Sequence, residues 1–217
     1  MDLMEAMNAR HSVRQYENKP IEKSALEAMR SEVEACNREG GLHIQLVTDE
    51  SKAFDSFMAH YGKFSGITNY IALIGPKGKD LEEKCGYYGE RLVLKAQQLG
   101  LNTCWVAMTY SKVPSAFQIS TGEKLTVVIS LGYGKNRGVA HKSKEISAVS
   151  NVSSTTPDWF RSGVEAALLA PTAMNQQKFT FTYADGKVSA KAGMGFYSKI
   201  DLGIAKYHFE LASGMKL

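Results

Sequence analysis

The 217-residue chain carries 26 Lys and Arg against 22 Asp and Glu, a net charge of +4, and is 44% hydrophobic and 22% charged. That balance excludes disordered and fibrous classes and leaves room for one domain with a real core or two small ones. The small positive excess does not call for nucleic acid, yet it suffices to keep a few cations for a phosphate.

Asp2 to Ala9 is expected to form a short helix, with Leu3, Ala6 and Met7 on one face and Asp2 as its cap. Lys19-Pro20 is a start signal for a helix over Ile21 to Cys36, whose Ala25, Met29, Val33 and Cys36 keep helical spacing up to Gly40-Gly41. Leu42, Ile44 and Leu46 alternate with polar residues as a half-buried strand does. Ser51 to His60 has helical character, and Tyr70 to Ile74 is a short apolar run suited to a strand buried on both faces. Lys79 to Leu99 is the strongest helix, stopped by Gly100. Thr103 to Ala107 and Leu125 to Leu131 are further strands.

Lys135 to Thr156 is polar and without period, a long surface connection between two sub-halves of a single domain. Pro157 opens a helix through Leu169. Phe179, Phe181 and Tyr183 alternate into the hairpin turn Asp185-Gly186, followed by Val188 and Ala190. Asp201 to Ser213 is an amphipathic final helix. Helices and strands alternate early and a hairpin comes late, so the expected class is α+β, a central mixed or antiparallel sheet flanked by helices. No GxGxxG follows a strand, which disfavours a dinucleotide fold. The segments Gly89 to Gly100 and Gly203 to Gly214 echo each other weakly, as any two amphipathic helices do.

Cys36, Cys85 and Cys104 are odd in number and lack CxxC spacing, which points to buried free thiols in a reducing compartment. The N-terminus has no apolar core of a signal peptide, and no stretch nears the ~18 apolar residues of a membrane span, so a cytoplasmic protein without membrane partners is expected. His43, His60, His141 and His208 are scattered and form no HExxH pattern, so no metal site is expected, and His208 is read as structural or at the surface.

Chemistry concentrates first in Arg10-His11-Ser12-Val13-Arg14. Arginine forks match phosphate oxygens and serine adds a neutral donor. In an extended segment Arg10, Ser12 and Arg14 project to one side. The plain alternative is a solvated basic corner closing a helix. Ala170 to Gln177 (APTAMNQQ) ends a helix before a strand, and Asn175 there offers both donor and acceptor. Gln98 to Ala107 and Leu131 to Arg137 are two further candidate segments.

Together these motifs resemble the FMN-dependent nitroreductase family. Arg10, His11, Ser12, Arg14 and Tyr16 match its opening Arg-(Arg/His)-Ser-x-(Arg/Lys)-x-(Phe/Tyr) run. The resemblance implies that Arg10 and Ser12 hold the FMN phosphate and that Arg14 reaches the flavin pyrimidine edge. It also implies that Pro171, Thr172, Ala173 and Asn175 contact the cofactor, and that Trp105, Val106 and Ala107 lie beneath the ring with a backbone N–H near Ala107 at flavin N5. Lys135 and Arg137 complete the phosphate site, and Lys63 matches a lysine near the flavin. The block with Asn175 stands near the C-terminus, whereas the family usually carries it after the first long helix, so the chain resembles a rearranged, divergent branch. Ala107-Met108 replaces an acidic-Gly pair, and the tryptophan after Gln-Pro is absent at Gln177-Lys178-Phe179. What the resemblance implies is a homodimeric oxidoreductase with NAD(P)H as co-substrate and a nitroaromatic or quinone acceptor, working by a ping-pong cycle. A non-catalytic flavin-binding protein and a partner-binding domain are the alternatives.

Overall fold

The computed structural model describes residues 1–217. Helix α1 (Leu3–Ala9) starts in a capping box: the Asp2 carboxylate accepts from the Glu5 N–H and the Glu5 carboxylate from the Asp2 N–H, both at 2.8 Å. Helix α2 (Lys23–Gly40) begins later than its start signal suggests. Glu22 is the N-cap, so Pro20 stays outside the first turn. Strand β1 (Gln45–Val47) is also shorter than the alternating stretch, although Leu42 and Ile44 are buried beside it. The single helix expected over 51–60 is broken into a 3-10 turn (Lys52–Phe54) and α3 (Phe57–Tyr61). The cause is local. The Glu50 carboxylate accepts the N–H groups of Lys52 and Ala53, and Phe54 turns inward onto Phe64 and Tyr70.

Strands β2 (Asn69–Pro76), β3 (Asn102–Val106) and β4 (Glu123–Gly132) join β1 in one sheet ordered β1-β2-β4-β3, every neighbour antiparallel. Between β2 and β3 runs α4 (Leu81–Gln98), which packs on the sheet. Helix α5 (Asp158–Ala167) precedes the hairpin of β5 (Phe179–Ala184) and β6 (Lys187–Ala192). Its turn takes positive φ at both Asp185 (51°) and Gly186 (75°), the demand that favours an Asp-Gly pair. The 135–156 connection is less free than its composition suggests. Val149 is buried, and its carbonyl accepts from the Phe181 N–H at 2.8 Å, so the second half of this segment is pinned to the hairpin.

The last helix, α6 (Ser198–Ser213), departs most from expectation. It is central rather than amphipathic. Ile200, Leu202, Ile204, Ala205 and Phe209 are buried together with Asp201, His208 and Glu210. Helix α4 covers one side and α5 with the hairpin covers the other. The crossing with α4 is close because glycines face it from both helices. A Cβ on Gly86 would collide with the Ile200 carbonyl, and one on Gly203 with the Glu83 carbonyl. These reciprocal contacts relate two runs of like order: α2-β1-β2-α4, interrupted by α3, and α5-β5-β6-α6. The two echoing glycine-bounded segments fall on the crossing helices.

Candidate functional site

Beyond α1 the chain becomes extended. The Val13 N–H donates to the Thr103 carbonyl on β3, the Tyr16 N–H to that of Ser65, and the Ser65 N–H to that of Arg14, each at 3.0 Å. Val13 and Tyr16 are buried, and the Tyr16 hydroxyl donates to the Val13 carbonyl and contacts the Ser130 hydroxyl, both at 2.8 Å. With Val13 anchored inward, an alternation that ends before the buried Tyr16 turns the flanking Ser12 and Arg14, and Arg10 in the same phase, to the opposite face. All three line a polar cavity of about 570 Å³, together with Lys63 and, from the far end of the chain, Pro171, Thr172 and Asn175. The basic run and the Ala-Pro-Thr turn therefore meet within one chain.

The turn is held by side chains against its own preference. Met174 (φ 50°), Asn175 (54°) and Gln177 (44°) are all left-handed, which costs a residue with a Cβ ~1–2 kcal/mol. The Asp201 carboxylate accepts from the Ala173 N–H at 2.9 Å and from Gln176 Nε2 at 2.7 Å. Lys144 Nζ donates to the Gln176 carbonyl at 2.8 Å and to that of Gln177 at 3.1 Å, and the Lys144 N–H donates to Gln177 Oε1. Asn175 Nδ2 donates to the Lys142 carbonyl, and its Oδ1 accepts from Gln177 Nε2. That revises the expected role of Asn175: its amide locks the turn.

Next to the polar cavity, and sharing Ser12, Arg14, Pro171, Thr172 and Met174 with it, lies a mostly apolar one of about 490 Å³. Both volumes fall in the ~300–1,000 Å³ range of small-molecule sites. Trp105, Val106, Ala107 and Met108 at the end of β3 form one wall, with Pro171 to Met174 and the start of α6 opposite. Asp201 lines this apolar space and is nearly fully buried. Burial lifts its carboxyl to about 6, against the lowering by the Ala173 N–H and the Gln176 amide. Burial likewise raises the Cys104 thiol. All three cysteines are free and buried.

Below the cavities lies a charge cluster that the sequence did not announce. Arg10 is 5% exposed, and its Nε stands 3.9 Å from Glu90 Oε1 without a hydrogen-bond partner. Glu90, fully buried on α4, accepts from Trp105 Nε1 at 3.0 Å through Oε2 and lies 3.0 Å from His208 Nε2 through Oε1. His208 is fully buried as well, and its Nδ1 is 3.1 Å from the Ala166 carbonyl.

Three expected residues stay outside the cavities. Lys135 and Arg137 are exposed and line neither, because the Lys135 N–H is tied to the Gln15 carbonyl at 2.9 Å and the loop turns before its long side chains can reach in. That loop contributes Asn136, Gly138, Val139 and His141 instead. His11 faces away, packed where a Cβ on Gly138 would fall; burial and then the Arg10 charge lower its imidazole below the usual range. Among residues not foreseen, Asp201 carried a signal. It is an acid inside the apolar run Ile200 to Ala205. Phe196 and Tyr197 carried none, since their place depends on how α6 begins.

A cationic cavity adjoining a mostly apolar one on an α+β scaffold has the make-up of a site for an anion-bearing small molecule. The chain belongs to the family described as "Putative TM nitroreductase", whose model matches residues 2–213. Among solved structures it is similar to a nitroreductase-named protein of Thermotoga maritima, at 24% identity and a TM-score of 0.67, covering 98% of this chain and 83% of that one. A nitroreductase-named protein of Desulfovibrio desulfuricans, solved in complex with FMN, is similar at 15% identity and a TM-score of 0.56, covering 72% of this chain and 99% of that one. An FMN-dependent nitroreductase of Clostridium difficile is similar at 18% identity and a TM-score of 0.50, over 67% and 94%. No curated protein matches the chain. No helix is long and apolar enough to cross a membrane.

Proposed function

We propose that this chain is an FMN-dependent oxidoreductase that passes reducing equivalents from NAD(P)H to an electron-poor acceptor, such as a nitroaromatic or a quinone, in a ping-pong cycle. The observation that carries the reading is the junction of a cationic cavity with a mostly apolar one, with residues from both ends of one chain lining each. Family membership supports it, as does the FMN in the Desulfovibrio desulfuricans relative.

The residues present fit the cofactor. Arg10 offers a desolvated guanidinium at the cavity edge whose Nε makes no hydrogen bond, with Glu90 3.9 Å away on the side of the core. Arg10, Ser12 and Lys63 would hold the phosphate, while Trp105, Val106, Ala107, Pro171, Thr172 and Ala173 would line the ring. FMN supplies the redox chemistry when bound, taking up two electrons from one substrate and releasing them to the next. Arg14 borders both cavities, with its guanidinium 5.8 Å from the Phe64 ring centre. There its charge favours negative charge developing in the apolar space, where the low dielectric strengthens the attraction. Because Asn175 is engaged in the turn, it acts by shaping the cavity wall.

An absorption spectrum of the purified protein, with and without added FMN, tests the reading: flavin bands are expected, and a colourless protein after reconstitution overturns it. Arg10→Ala should weaken FMN binding by about 1.5–3 kcal/mol, the worth of a charged hydrogen bond. Anaerobic bleaching by NADH or NADPH is expected; bound flavin that neither reduces marks a storage or sensing protein. A homodimer is expected, and a monomer by light scattering at micromolar concentration would overturn that; residues from both ends of one chain line the cavities, which favours a site within each chain.

A further inference from the structure

The Glu90–His208 pair lies outside the cavities but touches what shapes both. Glu90 holds the indole N–H of Trp105, a wall of the apolar cavity, and its Oε1 faces Arg10 Nε, at the polar one. Left alone, a buried carboxylate beside Arg10 would neutralise the charge that the polar cavity offers to an anion, and would pull the guanidinium onto itself. The Arg10 Nε stays 3.9 Å away and makes no hydrogen bond to it.

His208 accounts for that gap. Its Nδ1 faces the Ala166 carbonyl, which can only accept, so Nδ1 carries a proton. Its Nε2 faces Glu90 Oε1 at 3.0 Å, a contact that requires another proton between them. Whichever of the two atoms holds that proton, Glu90 and His208 together sum to no net charge, so the pair does not cancel the charge of Arg10 beside it.

We propose that His208 and Glu90, sharing one proton across their contact, form a neutral positioning pair that fixes the Trp105 indole and keeps the Arg10 guanidinium free for the cofactor's phosphate. Neither touches the cofactor. Both act through Arg10 and Trp105. The inference rests on reading the polar cavity as the phosphate seat, and its test separates the two.

The test is FMN affinity, measured by titration at constant salt, in the wild type, His208→Leu and the double variant Glu90→Gln/His208→Leu. His208→Leu strips Glu90 of its partner and should raise the FMN Kd about ten-fold or more, as when a charged hydrogen bond is lost. Adding Glu90→Gln removes the unpaired charge and should bring the Kd back to within about three-fold of wild type, a coupling that independent packing losses do not give. Equal weakening in the single and double variants, or none in either, overturns the proposal. Where the His208 variants fail to fold, nitrogen NMR of the wild-type protein decides: Nδ1 of His208 should bear a proton, and an unprotonated Nδ1, which would leave the pair negatively charged, overturns it. Absence of FMN binding by the wild type would sink the proposed function, while the NMR result would still judge the pair.

Discussion

Replacing Gly203 by alanine puts a methyl group into the crossing of α4 and α6, and two opposing effects can be weighed. Alanine improves a helix interior by ~1 kcal/mol over glycine. Against that, the new Cβ collides with the Glu83 carbonyl and lies 2.7 Å from the Tyr87 nitrogen. Both are backbone atoms within a helix, so neither can rotate aside and the two helices must part. Overpacking of this kind costs ~1–3 kcal/mol. About one turn further along the same crossing is the 3.0 Å contact between Glu90 and His208, and stretching it adds ~1–3 kcal/mol for buried polar groups left unpaired. The balance is a loss of about 1–5 kcal/mol, or ~2–20 °C in Tm for a chain of this size. Urea denaturation followed by circular dichroism measures it. Gly86→Ala should behave alike, since its Cβ meets the Ile200 carbonyl from the other side. The double variant should lose less than the sum, because the first methyl has already opened the crossing. A Gly203→Ala protein as stable as the wild type, or strict additivity of the pair, would refute the reasoning.

Asp201 gives a pH dependence of unusual sign. Its carboxyl is raised from 3.8 to about 6 by burial, so between those values the folded protein keeps a proton that the unfolded chain has lost. Stability conferred by this group is therefore present below about pH 4 and falls by ~3 kcal/mol as pH rises through 6. The stability of Asp201→Asn relative to wild type should grow between pH 4 and 7 in parallel urea titrations, and a constant difference would contradict the assignment. Gln177→Ala removes the bonds from its side chain to Lys144, Lys142 and Asn175, and should cost ~1–3 kcal/mol by thermal unfolding while loosening FMN binding. The chain has two tryptophans, and of these Trp105 lines the apolar cavity while Trp159 packs on Phe160 and Tyr183. FMN should therefore quench the emission lost in Trp105→Phe, and equal quenching in that variant would place the ring elsewhere.

Much of this arrangement was legible in residues whose environment is local. The continuous apolar runs of β2 and β4, the Asp185-Gly186 turn and the one-sided spacing of Arg10, Ser12 and Arg14 depend on near neighbours, and each has the expected form. What stayed hidden depends on partners far along the chain. Glu90, within GYYGERLVLK, has the look of a solvated helix charge. Its burial follows from an approach by α6 that only Gly86 and Gly203 permit. Asn175 offers a free amide until Lys142, 33 residues earlier, supplies the carbonyl that engages it. Lys135 and Arg137 have the right chemistry beside the right loop, but the tie between Lys135 and Gln15 turns them to solvent.

The glycine-faced crossing packs the helix at the middle of the polypeptide against the one at its end, so that segments far apart in the chain face each other. In a symmetric pair every mutation is made twice, and a change that helps one cleft is imposed on its twin. Here the segment bearing Arg10 and the one bearing Pro171 are encoded separately. Each wall of the cleft can be altered by substitution without touching the other, so the pocket is free to become lopsided.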